Sequence, residues 1–385
     1  MRIRLALPLC LTLTLTLTAI AQDRVVFEDL PGILLSNEKI QLTVLPEGGA
    51  MVKLGLVGER QPVDPLWNPF AIARDAGQNR PANFYRGHFI CVDGFGPSSA
   101  EEQAAGLPMH GEAHRLPWQL DSHGKQNGLL TAAFSVTLPL SHERLTRTYR
   151  IADGENIVWV ESELENLLAF DRPAFWGEHA TIGAPFLEPG KVVVDMPSQK
   201  AKTKAYPAQG NTANRQLQPF TDFTWPLAPA RDGQTFDLRS APMKPGSTDH
   251  TASLIDPSRT LGFVTALHLE RRLLVGWVFR RAEFPWVQTW LAYPGPGRMA
   301  RGLEFATQPF DLPRADVLKA GPLFDTPVFR ILPAKSKIAA TFLMFYTTVP
   351  EGFTKVDDIR FESGTMVIED RSAAKRISLP ASRRL

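Results

Sequence analysis

Short segments in which apolar and polar residues alternate run along most of the chain, and a period of two is typical of β-strands. Residues 40–45 alternate, a Pro-Glu-Gly-Gly stretch at 46–49 breaks the pattern, and alternation resumes at 51–56. Turn-forming clusters such as Ala-Asp-Gly-Glu-Asn at 152–156 separate later segments of the same kind. These later segments predict strands at 87–92, 129–138, 144–151, 157–165, 192–195, 251–254, 262–268, 273–280, 287–293, 328–332 and 338–346.

The number of these strands predicts an all-β fold. The 32 prolines and 28 glycines leave little room for long helices, and we expect one short helix at residues 99–105. Many short strands separated by turns are typical of a sandwich or a barrel. We therefore predict a single domain over residues 22–385, built as one large antiparallel β-sandwich.

Residues 199–248 depart from this pattern. They are rich in proline, alanine, lysine and glutamine and have little periodicity. The segment could link two domains or form a long loop at one mouth of the sheet. We favour the loop, because long irregular loops inside compact domains are often functional.

The first 21 residues resemble a secretory signal peptide. Arg2 and Arg4 precede an apolar run at 5–20, and Ala-Ile-Ala at 19–21 is a small-x-small cleavage signal. The run is too short for a transmembrane anchor, and no apolar run of about 18 residues follows it. We therefore expect an exported protein, periplasmic or secreted, that does not span a membrane.

Charge and cysteine content exclude several classes of partner and site. Without the leader, the chain has 40 basic and 40 acidic side chains. This balance argues against nucleic acid and anionic membrane surfaces as partners. Cys91 is then the one cysteine left, so neither an intramolecular disulfide nor a cysteine-based zinc site can form. We expect Cys91 to be a buried apolar residue.

The segment 106–118 holds the densest group of reactive side chains, His110, Glu112, His114 and Trp118. Two histidines four residues apart suggest zinc, but the metalloprotease pattern needs a glutamate directly after the first histidine and an unbroken helix. The zinc-deaminase pattern needs a later Pro-Cys-x-x-Cys, which the sequence lacks. Two prolines and a glycine interrupt the segment. We therefore expect a ligand-facing loop and no metal site.

Two further residues could carry acid–base chemistry. His179 follows an aromatic stretch, and alternation would place it on the opposite face from Trp176 and Glu178 if the segment is extended. Glu304 lies between Leu303 and a phenylalanine. If this carboxyl is buried, its pKa is raised, which suits a base near neutral pH.

The order of these motifs resembles the aldose 1-epimerase (galactose mutarotase-like) family. The motifs are His-Gly…Trp at 110–118, Asn…His with aromatics at 166–179, Asp-His at 249–250 and Leu-Glu-x-x-Thr-Gln at 303–308. The resemblance extends over about residues 40–346. It implies a large antiparallel β-sandwich, a small-molecule carbohydrate as ligand, and catalysis that uses neither a metal nor a cofactor.

The resemblance also implies a role for five residues. Glu304 matches the base that takes the proton from the anomeric hydroxyl, and His179 matches the acid that protonates the ring oxygen. His110 matches a second histidine on the ring-oxygen side. Arg86 matches an arginine that binds sugar hydroxyls, and Asp249 matches a substrate-binding aspartate. We expect the acid and the base to lie on opposite sides of the sugar.

Aromatic side chains suit such a pocket, because the C–H faces of a sugar pack on them. Trp118, Trp176 and Trp286 are the candidates, although each one alone is more typical of a packed core.

Two departures from the family pattern make the chain a divergent relative. Ala-Thr-Ile-Gly follows His179 where the family has Pro-Tyr-Phe-Asn, and two residues separate Glu304 from Thr-Gln where the family has none. The sugar is therefore not assigned, and a modified sugar or a sugar phosphate remains an alternative. A carbohydrate-binding or accessory protein without turnover is the alternative of another class. Convergence of His179 and Glu304 on one pocket would distinguish an enzyme from a sandwich whose histidine and glutamate are structural.

Overall fold

Strands make up most of the structure. The computed structural model describes residues 23–81, 85–206, 214–240, 246–293, 295 and 298–385, so the predicted signal peptide lies outside the described residues. The strands are β1 (Arg24–Phe27), β2 (Leu30–Ser36), β3 (Ile40–Val44), β4 (Met51–Leu56), β5 (His88–Val92), β6 (Gln119–Gln126), β7 (Leu129–Leu138), β8 (Glu143–Ala152), β9 (Ile157–Asn166), β10 (Arg172–Ala174), β11 (Trp176–Gly183), β12 (Val192–Asp195), β13 (Ser198–Thr203), β14 (Asp222–Thr224), β15 (Leu227–Pro229), β16 (Thr235–Asp237), β17 (Ser247–Ile255), β18 (Leu261–His268), β19 (Leu273–Arg280), β20 (Trp286–Tyr293), β21 (Ala300–Gly302), β22 (Glu304–Ala306), β23 (Arg330–Leu332), β24 (Lys337–Thr348), β25 (Asp358–Glu362), β26 (Thr365–Asp370) and β27 (Lys375–Pro380).

The helices are short. They are α1 (Pro69–Asp75), α2 (Ala100–Ala104), α3 (Arg314–Ala320) and one 3₁₀ turn at Ala113–Arg115. The predicted helix at 99–105 is confirmed as α2, where Ser99 and Glu102 form a reciprocal capping box. No helix in the described ranges is long and apolar enough to cross a membrane.

Two large antiparallel sheets form the body of the fold. The first sheet has twelve strands in the order β1-β2-β3-β4-β5-β11-β21-β20-β17-β13-β14, with β22 pairing with β11 and β20. The second sheet has eight strands in the order β12-β18-β19-β24-β9-β8-β7-β6. Buried apolar residues from both sheets form one cluster between them. The predicted all-β antiparallel sandwich is therefore confirmed.

The C-terminal strands form a separate small sheet. β25, β26 and β27 pair in sequence order. Their buried residues Ile359, Met366 and Ile368 share a cluster with Trp159 and Phe345 of the second sheet. This small sheet thus packs against the face of the second sheet that is turned away from the first. The sequence did not predict the three strands of this sheet, because charged residues interrupt their apolar positions.

The expectation of one long loop over residues 199–248 is wrong where the segment forms strands. β13 extends the first sheet by pairing with β17, and β14 pairs with β13. β15 and β16 form a two-stranded unit beside them. β14, β15 and β16 have three residues each, which is too short for a period of two to be recognised in the sequence. Residues 207–213 and 241–245 lie outside the described residues.

Register across the first sheet places alternating residues on opposite faces. Phe305 in β22 points towards the second sheet and stacks on Phe279 of β19, with ring centroids 4.5 Å apart. Its register partner Glu178 points the same way and pairs with Arg147 of β8. The neighbouring residues His179 and Glu304 therefore face away from the second sheet.

Candidate active site

A cavity of about 270 Å³ lies on the face of the first sheet that is turned away from the second. It combines aromatic walls with histidines and carboxyl groups. Its lining residues are Trp67, Tyr85, Phe89, Met109, His110, His179, His250, Trp290, Glu304 and Asp311. The structure thus brings His110, His179 and Glu304, which are far apart in the sequence, to one cavity.

His179 and Glu304 are in direct contact. His179 Nε2 lies 3.2 Å from Glu304 Oε1, because β11 and β22 are neighbouring strands. Gly302, which lies two residues before Glu304 in the chain, is the register partner of Thr181 in β11. A Cβ atom at Gly302 would lie 2.0 Å from Glu304 Oε1, so the missing side chain leaves the space that this carboxyl occupies.

Burial favours the neutral form of both members of this pair. Glu304 is 1% exposed, and desolvation, assisted by the negative charge of Asp311, raises its pKa well above 4.5. Desolvation lowers the pKa of His179 well below 6.5, and the neighbouring His110 and His250 add to the effect. Both shifts favour a protonated Glu304 beside an uncharged imidazole.

A threonine contacts His179 on the side of the ring away from Glu304 and favours one tautomer. Thr181 Oγ1 donates to the carbonyl oxygen of His179 at 3.4 Å and lies 2.9 Å from His179 Nδ1. With the hydroxyl proton directed at that carbonyl oxygen, Oγ1 accepts from Nδ1–H. Nε2, which faces Glu304, is left with a lone pair.

His110 has the opposite tautomer. The backbone N–H of Gly96 donates to His110 Nδ1 at 3.1 Å, so the ring proton of the neutral imidazole is on Nε2. Burial lowers the pKa of His110 to about 4. Its ring lies edge-on to that of His179, with centroids 5.3 Å apart. His110 therefore provides a hydrogen-bond donor beside the His179–Glu304 pair.

His114 supports the wall of the cavity and is not among its lining residues. It is buried, and its ring stacks on that of Tyr85 with centroids 5.3 Å apart. Burial lowers its pKa to about 3. Among the described residues, no three histidine, cysteine or carboxylate side chains are placed to hold a metal ion.

The aromatic walls come from residues that the sequence did not single out. Phe89 stacks on His179 at 4.2 Å between centroids. Trp290 approaches the same histidine edge-on at 6.2 Å, and Trp67 packs edge-on against Trp290 at 5.6 Å. Burial against this apolar wall contributes to the desolvation that lowers the pKa of His179.

The three tryptophans expected from the sequence do not line the cavity. Trp118 donates from Nε1 to the carbonyl oxygen of Ala113 at 2.9 Å and packs against Gly49. Trp176 faces the core and donates to Glu178 at 3.0 Å. Trp286 donates to the carbonyl oxygen of Pro327 at 3.1 Å. Each indole N–H is thus paired inside the protein, as is usual for core tryptophans.

Arg86 and Asp249 also lie away from the cavity lining. Arg86 is buried, with Nη2 3.4 Å from Glu47 Oε1. Asp249 accepts from the backbone N–H groups of Gln216 and Leu217 at 3.0 and 3.3 Å. The carboxylate of Asp249 is therefore occupied in holding a neighbouring chain segment.

The next residue, His250, takes the place in the cavity that we expected for Asp249. Register places His250 opposite Trp290, on the face of the sheet that carries the cavity. Its Nδ1 lies 2.7 Å from Asp311 Oδ1, and Lys204 Nζ reaches the same oxygen at 2.5 Å. Strand alternation could have predicted that His250 and Asp249 face opposite sides of the sheet. No sequence pattern could have predicted the contact of Asp311 with Lys204, since they follow strands that are distant in the chain.

Comparison with solved structures identifies the fold. A galactose mutarotase-like protein from Clostridium acetobutylicum superimposes with a TM-score of 0.57 at 12% identity, over 85% of this chain and 98% of that one. A galactose mutarotase related enzyme from Lactobacillus acidophilus gives a TM-score of 0.56 at 12% identity, over 83% and 99% of the two chains. The chain has a galactose mutarotase-like fold.

A further structure with this galactose mutarotase-like fold is a Klebsiella pneumoniae protein provisionally classed as an aldose 1-epimerase. It gives a TM-score of 0.58 at 14% identity, over 82% of this chain and 79% of that one. No protein-family model matches the sequence, and no curated protein matches it significantly. At these identities the likeness establishes the galactose mutarotase-like fold, and any activity must be argued from the cavity.

Proposed function

We propose that the protein is an aldose 1-epimerase-like enzyme that interconverts the anomers of a sugar by acid–base opening and closing of its ring. The observation that carries the proposal is the contact between His179 and Glu304 inside the cavity. Anomer interconversion needs one group that gives a proton and one that takes a proton, both near the anomeric carbon. A neutral carboxyl beside a neutral imidazole provides both.

His179 and Glu304 lie side by side, whereas from the sequence we expected them on opposite sides of the sugar. The anomeric hydroxyl and the ring oxygen are bonded to the same carbon, C1. An acid and a base that are neighbours can therefore reach both oxygens from one side.

The resting proton positions favour roles that are the reverse of those implied by the family resemblance. Glu304 holds the proton and gives it to the ring oxygen as the bond from C1 to that oxygen breaks. His179 Nε2 takes the proton of the anomeric hydroxyl as C1 becomes a carbonyl. Rotation about C1–C2 presents the other carbonyl face, and the two proton transfers then run backwards to close the ring.

The size and charge of the cavity favour one uncharged sugar ring. Its volume of about 270 Å³ is below the roughly 300–1,000 Å³ of sites that hold drug-sized ligands. Among the described lining residues there is no lysine or arginine. The nearby cation Lys204 is paired with the carboxylate of Asp311, and this carboxylate would repel a phosphate group. These features support an unphosphorylated monosaccharide over a sugar phosphate.

Polarimetry or NMR of freshly dissolved α-glucose and α-galactose tests the proposal. We expect the wild type to accelerate equilibration of at least one sugar in a broad panel. Glu304→Gln should lower kcat by roughly 10²–10⁴-fold, whereas the exposed Glu270→Gln should not. Sugar binding at the spontaneous rate of equilibration would instead identify a carbohydrate-binding protein. Full activity in Glu304→Gln would exclude this residue as a catalytic group.

We also propose that the protein is exported, on the signal-peptide pattern of residues 1–21. Expression of the full chain in a Gram-negative host, followed by fractionation, should recover a periplasmic or secreted form. N-terminal sequencing of that form should begin at Gln22. Recovery of the uncleaved chain in the cytoplasm would contradict this proposal.

A further inference from the structure

A second acid–histidine pair lines the cavity beside His179 and Glu304. His250 Nδ1 lies 2.7 Å from Asp311 Oδ1. Lys204 Nζ lies 2.5 Å from the same carboxylate oxygen and 2.9 Å from the Asp311 carbonyl oxygen. Burial alone would raise the pKa of Asp311, but the adjacent His250 and Lys204 lower it well below its ordinary range. Asp311 is therefore an ionised carboxylate at neutral pH.

This carboxylate fixes which nitrogen of His250 carries a proton. An ionised carboxylate only accepts hydrogen bonds, so His250 Nδ1 is the protonated nitrogen. In its neutral form the ring then has its lone pair on Nε2. A carboxylate orients a histidine in the same way in serine hydrolases, where it holds the tautomer and does not itself take up the proton.

Nε2 of His250 has no partner within the described part of the chain, although the residue is only 4% exposed. A buried acceptor without a donor is destabilising, because it has lost its hydrogen bonds to water. Proteins rarely tolerate such a group unless a ligand or water pairs with it. Because His250 lines the cavity, a bound ligand can supply the missing donor.

We propose that His250 Nε2 accepts a hydrogen bond from one hydroxyl group of the bound sugar, with Asp311 and Lys204 as the residues that position the imidazole. The inference rests on the proposed function for the nature of the ligand. It assigns to His250 the recognition of a sugar hydroxyl that the sequence pattern had assigned to Asp249. His250 thereby selects sugars that present a hydroxyl at one ring position.

Ligand binding measured without turnover tests this inference independently of catalysis. Trp67 and Trp290 line the cavity, so their fluorescence can report binding of glucose, galactose and their 2-, 3-, 4- and 6-deoxy forms. The variants are His250→Phe, which keeps a ring but removes the acceptor, and His250→Gln, which keeps an acceptor. The matched control is His268→Phe, because His268 is also buried and pairs with a carboxylate, Glu188, at 3.0 Å away from the cavity.

One deoxy sugar should distinguish hydrogen bonding from a general structural effect. For the parent sugar, His250→Phe should raise Kd at least about tenfold, His250→Gln should raise it less, and His268→Phe should leave it unchanged. For the deoxy sugar that lacks the recognised hydroxyl, wild type and His250→Phe should bind equally. An equal loss of affinity across all sugars would overturn the inference.

Asp311→Asn tests the positioning role. Asp311→Asn should weaken binding of the sugars that carry the hydroxyl recognised by His250, as His250→Phe does, and should bind the matching deoxy sugar as wild type does. ¹⁵N NMR should show that His250 no longer keeps its single Nδ1–H tautomer. If Asp311→Asn lost its discrimination for a different hydroxyl from that of His250→Phe, Asp311 would not act by positioning His250. Binding without turnover would remove the proposed function and leave this inference standing. Failure of the wild type to bind any sugar would overturn both.

Discussion

Glu178 and His179 are adjacent in β11 and point to opposite faces of the same sheet. Glu178 faces the core, where it pairs with the guanidinium of Arg147 and lies 2.9 Å from His88 Nε2. His179 faces the cavity, where it contacts Glu304 at 3.2 Å. One strand thus contributes a buried ion pair to stability and an imidazole to the candidate active site.

Substitution of these two neighbours should separate stability from activity. Removing one partner of a buried ion pair leaves the other charge unpaired, so Glu178→Gln should lower the free energy of unfolding by about 3–5 kcal/mol. His179→Gln should change stability far less and lower kcat by roughly 10²–10⁴-fold. Urea unfolding and polarimetry measure the two effects. Similar loss of stability in both variants would contradict this division.

Gly302 should be required for the position of the Glu304 carboxyl. A Cβ there would lie 2.0 Å from Glu304 Oε1, so Gly302→Ala should displace the carboxyl from His179. We expect kcat to fall by roughly 10²-fold, the effect of a small misplacement of a catalytic group, while the protein remains folded. The matched control is Gly124→Ala in β6, where a Cβ would meet nothing within 4 Å. Equal activities in the two variants would exclude this role.

The raised pKa of Glu304 should make this residue a source of instability at neutral pH. Its folded-state pKa lies above the ordinary 4.5, so its contribution to stability is complete below pH 4.5 and declines as the pH rises through the folded pKa. Glu304→Gln should therefore gain stability over wild type as the pH increases from 4.5 to 7. Thermal or urea unfolding at several pH values measures this difference, with the exposed Glu163→Gln as control. A difference that does not vary with pH would mean that the carboxyl is not held neutral.

The sequence predicted the features that depend on strand alternation. Alternation placed His179 opposite Trp176 and Glu178, and the structure confirms this arrangement. The apolar neighbours of Glu304 made a raised pKa conditional on burial of its carboxyl, and the structure shows that this carboxyl is buried. In both cases the property follows from residues that are adjacent in the chain.

Features that depend on register between distant strands could not be predicted in this way. Asp249 and His250 are equally polar, and the pairing of β17 with β20 determines which of them faces the cavity. Asp311 lies 107 residues from Lys204, so no local pattern connects the two. The three tryptophans expected from the sequence do not line the cavity, whereas Trp67 and Trp290 reach it through the folding of the chain.

Trp290 and Trp118 provide the test of which tryptophans contact the sugar. Trp290 lines the cavity and approaches His179, so Trp290→Ala removes an apolar wall on which a sugar ring can pack. Aromatic contacts of this kind contribute about 0.5–1.5 kcal/mol beyond area burial, and KM should therefore rise by up to about tenfold. Trp118→Phe instead removes the hydrogen bond to the Ala113 carbonyl oxygen, which should cost about 1 kcal/mol of stability and leave KM unchanged. Steady-state kinetics together with urea unfolding separate the two effects. If Trp118→Phe raised KM and Trp290→Ala did not, the sugar would bind at a different place from the cavity beside His179.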